Sequence, residues 1–161
     1  MFELKTIQAT SKRNLYEELA MQARGLLHNE HDLIANAANF SALLYHALPD
    51  VNWVGFYFLK NGELLVGPFQ GKPACVHIRV GKGVCGIAAE KRESIVVPDV
   101  NKFSGHIFCD GISLSEVVVP LLKGHELLGV LDIDSPKLAR FDEEDRSGLE
   151  KLSTIFLEAL A

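Results

Sequence analysis

Two apolar runs, residues 114–121 and 127–134, flank the polar segment Lys123-Gly124-His125-Glu126. Runs of this length and β-branched content, separated by a short glycine-containing stretch, pair as an antiparallel hairpin. The pairing constrains everything else, because an isolated hairpin is not stable and must bury its apolar face against further strands or helices. Residues 52–59 and 63–66 meet across Lys60-Asn61-Gly62, and Asn-Gly is the strongest short hairpin signal. Helical spacing accounts for both ends of the chain. Ser11 reads as a cap for a helix with Leu15, Leu19, Ala23, Leu26 and Leu27 on its inner face. A second apolar face runs through Leu33, Ile34, Ala37, Ala38, Ser41, Leu44 and Leu48 and stops at Pro49-Asp50. Asp142, with Asp145 three residues later and Phe141 ahead of it, opens a last helix that faces inward through Leu149, Leu152, Ile155, Phe156 and Leu160. Between these, residues 67–74 hold two glycines and two prolines and read as a loop; residues 76–80 are β-prone, 84–92 fit a short helix, 94–97 a brief strand and 101–112 a polar loop. The expected architecture is α+β, a single domain over residues 1–161 with a mostly antiparallel sheet flanked by helices.

With 161 residues and 48% hydrophobic content, one such domain closes a full core without disulfides. No basic segment leads into an apolar run, and no apolar stretch approaches the roughly 20 residues of a membrane span. A cytoplasmic protein away from membranes is expected, and in that setting lasting disulfides are rare. A net charge of −5 without a Lys/Arg-rich run excludes a nucleic-acid backbone as the natural partner and leaves a small ligand. Asn39-Phe40-Ser41 matches a glycosylation acceptor by chance, inside a helix.

The three cysteines are therefore free for chemistry. Cys75, Cys85 and Cys109 lie in GPFQGKPAC, GKGVCGIAAE and HIFCDG, stretches rich in turn formers and polar residues, whereas a packing cysteine usually sits within an apolar run. Reactive thiols are expected at all three. A zinc site drawn from them with His77 and His106 lacks the two close ligand pairs that zinc uses, so no metal is expected.

Asp132 and Asp134 are two apart on a strand, so they project from one face while Leu131 and Ile133 fill the other. Two carboxylates so placed repel, which raises the pKa of one and makes a proton donor available near neutral pH. With Glu116 on a neighbouring strand, the three would form an acidic pocket floor. The bland alternative is that the aspartates only end the strand before the turn at Ser135-Pro136. Trp53 and Tyr57, four apart, also share a face, as core residues or as a wall for a ligand. Gly81-Lys82-Gly83-Val84-Cys85-Gly86 satisfies G-x-G-x-x-G, but Asp99 comes too early and the following pattern is antiparallel, so a dinucleotide is disfavoured. Two readings of that segment stand side by side: helix-start amides that hold a small carboxylate, at Gly83 and Val84, or a turn that only starts a helix.

The segments GPFQGKPAC, GKGVCG, HIFCDG, SEVVVP and GVLDIDSP, with the early NWVGFY, closely resemble the free methionine-(R)-sulfoxide reductases, a family of stand-alone GAF domains. The likeness covers nearly the whole chain. It implies reduction of free methionine sulfoxide, R at sulfur, without a bound cofactor. Cys109 would attack the sulfur while Glu116 and Asp134 polarise or protonate the oxygen. The resulting sulfenic acid would condense chiefly with Cys75, or alternatively with Cys85, and thioredoxin would reduce the disulfide. Trp53 and Tyr57 would enclose the methyl group, and Asp132 would help to hold the ammonium. A homodimer is expected from the family and from exposed faces on the first and last helices. Asp110, beside Cys109, disfavours the thiolate; substrate ammonium, a helix end or His106 could offset it. The competing classes are a ligand-sensing GAF module, usually found in longer chains beside an output domain, and a thiol redox sensor without a substrate pocket.

Overall fold

The computed structural model describes residues 2–107, 109 and 111–161. Helices α1 (Lys12–Leu26) and α2 (Leu33–Ala47) come first, then strands β1 (Trp53–Lys60), β2 (Glu63–Gly71) and β3 (His77–Arg79), helix α3 (Gly83–Lys91), strands β4 (Ile95–Val97), β5 (Ser115–Lys123) and β6 (Glu126–Ser135), and helix α4 (Glu143–Ala159). The strands form one sheet in the order β3-β2-β1-β6-β5-β4, and every pairing among the described residues is antiparallel. The α+β expectation is met.

The sheet separates two apolar clusters. On one face α1, α2 and α4 pack through Leu19, Phe40, Leu44, Leu149 and Phe156 against Val54, Phe56, Leu131 and Ile133. On the other, α3 and the long connections cover Trp53, Tyr57, Val118 and Val130. Strand alternation therefore sends odd and even residues of β1, and of β6 from Val130 onward, to different clusters.

The caps behave as the residue types require. Ser11 accepts from the Asn14 N–H, and Asp142 and Asp145 form a reciprocal capping box at α4. Asp145 also ties α4 to α1: fully buried, it meets Lys12 Nζ at 2.5 Å, Arg140 Nη1 at 3.2 Å and the donating hydroxyl of Tyr16 at 2.8 Å. The Tyr16 ring lies flat over Gly148, where a Cβ would stand 2.3 Å from Tyr16 Cγ. Asn61 and Gly62 both have positive φ, the backbone of a tight hairpin turn.

Three expectations change. Residues 67–71 continue β2 rather than forming a loop: a bulge opposite Gly55 to Tyr57 absorbs Gly67 and Pro68, and pairing resumes at Phe69 with Gly55. On α2, Ile34 is 54% exposed and Ala38 faces out, because the buried face turns through Asn36, Ala37, Phe40 and Leu43 instead. Cys85 is buried on the inner face of α3 beside Val84, Ala88 and Ala89. Its flanking glycines mark the helix start, but the helical face decides its burial.

Candidate active site

β5 and β6 place the carboxylates. Glu116 pairs with Asp134 and Val118 with Asp132, so Glu116, Asp132 and Asp134 emerge together on the sheet face opposite the helical bundle. They line a cleft of about 550 Å³, part of it open to solvent, whose walls include Trp53, Tyr57, Gly83, Val84, His106 and Cys109. In the turn after β6 the Ser135 hydroxyl accepts from the Lys137 N–H.

Glu116 is 5% exposed. Burial pushes its carboxyl pKa well above the ordinary carboxylate value, and the charges of Asp132 and Asp134 push it further in the same direction. A buried carboxyl that holds its proton more tightly than an ordinary one is thus placed at the floor. Cys85 Sγ lies 3.9 Å from Glu116 Oε1, and His106 Nδ1 lies 3.9 Å from Glu116 Oε2. Burial, and then the nearby carboxylates, raises the Cys85 thiol pKa. Ligand atoms of Cys85, Glu116 and Asp132 lie within 4.8 Å of one another, the only described group with the composition and proximity to hold a metal ion. It differs from the Cys/His set considered from sequence, two of whose thiols are engaged elsewhere.

Those two thiols meet at the rim. Cys75 and Cys109, 34 residues apart in sequence, are joined as a disulfide with their Cα atoms 5.4 Å apart. The aromatic pair fixes one arm of this bridge. Trp53 Nε1 donates to the Lys72 carbonyl at 3.1 Å, and the Tyr57 hydroxyl donates to the Cys75 carbonyl at 3.1 Å. Their rings stack 5.8 Å apart, with Phe69 on the other side of Trp53 at 5.1 Å. Strand alternation gave their shared face, whereas the hydrogen bonds to residues 72–75 had no sequence signal. On the other arm, Ile107 lies against Gly83 at the start of α3. Asp110, expected to oppose thiolate formation, lies outside the described residues.

The G-x-G-x-x-G segment turns β3 into α3. Gly81 N–H donates to the Gly86 carbonyl, and a Cβ on Gly86 would stand 2.3 Å from the Arg79 carbonyl oxygen, so helix and strand touch through glycine. Among the described residues no parallel βαβ unit surrounds it, and Gly83, Val84 and Cys85 at the helix start face the cleft. Pro73, Ala74, Ile78 and Ser113 also line the cleft and were not singled out from sequence; the β3 alternation that points Ile78 inward was the available signal.

Residues 22–160 match the GAF domain family. The chain is 46% identical over 151 residues to the free methionine-R-sulfoxide reductase of Escherichia coli, covering 94% of this chain and 92% of that protein. The free methionine-R-sulfoxide reductase of Neisseria meningitidis, solved in complex with its substrate, superposes with a TM-score of 0.95 at 41% identity, over 99% of this chain and 96% of the other. The reduced form of the Staphylococcus aureus fRMsr superposes with a TM-score of 0.89 at 50% identity, over 98% and 99%. Matched in sequence and in backbone over nearly its full length, the chain belongs to the GAF family, among the free methionine-R-sulfoxide reductases.

Proposed function

We propose that this protein reduces free L-methionine-(R)-sulfoxide to methionine, with Cys109 as nucleophile. The observation that carries the reading is a Cys75–Cys109 bridge at the rim of a cleft whose floor holds the buried carboxyl of Glu116. In the reduced protein the Cys109 thiolate attacks the sulfoxide sulfur while Glu116, with Asp134 beside it, protonates or hydrogen-bonds the oxygen. Oxygen transfers to Cys109 as a sulfenic acid and methionine departs. Cys75 then displaces the hydroxyl as water and forms the disulfide, so two electrons have passed from two thiols to the sulfoxide. Cys85, buried at 3.9 Å from Glu116, is the alternative resolving thiol.

The walls suit the remaining groups of the amino acid. Trp53 and Tyr57 enclose the methyl group, Asp132 helps to hold the ammonium, and the Gly83 and Val84 amides at the start of α3 receive the carboxylate. Substrate ammonium, a helix end or His106, which lines the cleft, supplies the positive charge that favours the Cys109 thiolate. The thiol chemistry requires no bound cofactor, and thioredoxin restores the dithiol by exchange. That reductant belongs to a reducing compartment such as the cytoplasm, and no helix among the described residues is long and apolar enough to cross a membrane. One domain acting as a homodimer, through outward faces of α1 and α4, completes the reading.

The test is turnover with pre-reduced protein on three substrates. Enclosing an ammonium and a carboxylate loses two charge-assisted contacts, each about 1.5–3 kcal/mol, when both become peptide bonds. Free R sulfoxide is therefore reduced at least about tenfold faster than a peptide-embedded one. Equal rates on the two, or preference for the S epimer, would overturn the assignment.

A further inference from the structure

We infer that the rim around the Cys75–Cys109 bridge is the docking surface for the protein that reduces it, a dithiol oxidoreductase with an apolar contact area ringed by carboxylates. The inference rests on the proposed redox role of that bridge and adds to it a binding surface. Eight large hydrophobic side chains are exposed among the described residues, and four of them, Val76, Val80, Ile107 and Ile112, fall in the two short segments beside the bridged cysteines. Val76 follows Cys75 directly and Ile107 and Ile112 bracket Cys109. Val76 and Val80 flank β3 (His77–Arg79) and are exposed, whereas Ile78 between them is buried in the cleft wall. Apolar side chains gathered beside one bond mark a contact site more than scattered ones would.

Charge defines the partner. Residues 72–82 contain Lys72, Arg79 and Lys82 and no carboxylate, within a chain of net charge −5. Lys72 and Arg79 are exposed. Glu63 stands opposite Arg79 across β2–β3, and the remaining excess of positive charge along residues 72–82 complements an acidic partner and speeds its encounter. The bond itself sets the chemistry, since its cleavage needs a partner thiolate brought into line with the two sulfurs. The thiolate attacks one sulfur and forms a mixed disulfide, the second partner thiol releases it, and the cysteines leave as a dithiol while the partner becomes a disulfide.

The experiment measures reduction of the preformed Cys75–Cys109 disulfide by Escherichia coli thioredoxin, followed through NADPH and thioredoxin reductase, with no sulfoxide present. The expected result is a second-order rate constant about tenfold lower for the double variant Val76→Ser/Ile112→Ser. Lys72→Glu/Arg79→Glu lowers it as well and removes the decline with ionic strength seen in the unmodified protein. Reduction by dithiothreitol, which needs no docking, stays unchanged in both. Wild-type rates with thioredoxin in both variants would overturn the docking surface, as would a parallel fall with dithiothreitol, which would show that the substitutions act on the bridge. Val76, Ile112, Lys72 and Arg79 do not line the cleft, so methionine release by pre-reduced protein is unchanged in both variants, and failure here and failure of the reductase reading are separate outcomes.

Discussion

Glu116→Gln acts on stability and on catalysis in opposite directions. The carboxyl is 5% exposed and its pKa stands well above the ordinary value, first through burial and then through Asp132 and Asp134. In the folded protein it stays protonated at pH values where the unfolded chain has already lost that proton. The folded state therefore binds more protons in this window. Stability declines as pH rises from the ordinary carboxyl range to the folded-state pKa, at up to roughly 1.4 kcal/mol per pH unit from this group. Glutamine keeps the shape and has no proton to lose, so the variant gains stability over the wild type progressively as pH rises through that window and shows no such advantage below it. The reaction moves the other way. General acid catalysis typically contributes about 10²–10⁴-fold, so loss of the Glu116 proton slows the first methionine release by at least about tenfold. Urea unfolding at a series of pH values and quenched single-turnover kinetics with pre-reduced protein measure the two effects. A variant that releases methionine at the wild-type rate, or whose stability difference does not change with pH, would refute the placement of a protonated Glu116 under the reacting oxygen.

Two further predictions concern the frame that carries the site. Asp145→Ala leaves Arg140, whose side chain is 8% exposed, without its buried partner and lowers unfolding free energy by about 3–5 kcal/mol in denaturant titration. Gly148→Ala places a methyl group against the Tyr16 ring and costs about 1–3 kcal/mol, read as a Tm loss of about 2–4 °C per kcal/mol. Unchanged Tm for Gly148→Ala would show that α1 and α4 move apart without cost.

Much of this frame can be read from local chemistry. Ser11 and Asp142 declare helix starts through side-chain oxygens that accept the first free amides, and Asn61-Gly62 declares a hairpin through positive φ at both positions. The acidic floor follows from alternation alone: Asp132 and Asp134 share parity, and the β5–β6 register sets Glu116 opposite Asp134. What escapes sequence reading depends on contacts distant along the chain. Gly67 and Pro68 look like a loop until the bulge opposite β1 makes room for them. Cys85 sits in a stretch rich in turn formers, and only the α3 face shows that it packs beside Val84 and Ala88, where burial raises its pKa. Trp53 and Tyr57 look like pocket walls, and their polar atoms also hold the backbone at Lys72 and Cys75, which presents one half of the disulfide.

The order of the cysteines is the central claim, and methionine release in a single turnover tests it most directly. Pre-reduced Cys75→Ser mixed with excess free R sulfoxide is predicted to release about one methionine per protein molecule and then stall, because a sulfenic acid forms at Cys109 without its partner thiol. Cys109→Ser is predicted to release none. A full burst from Cys109→Ser with none from Cys75→Ser would exchange the two roles and contradict the mechanism.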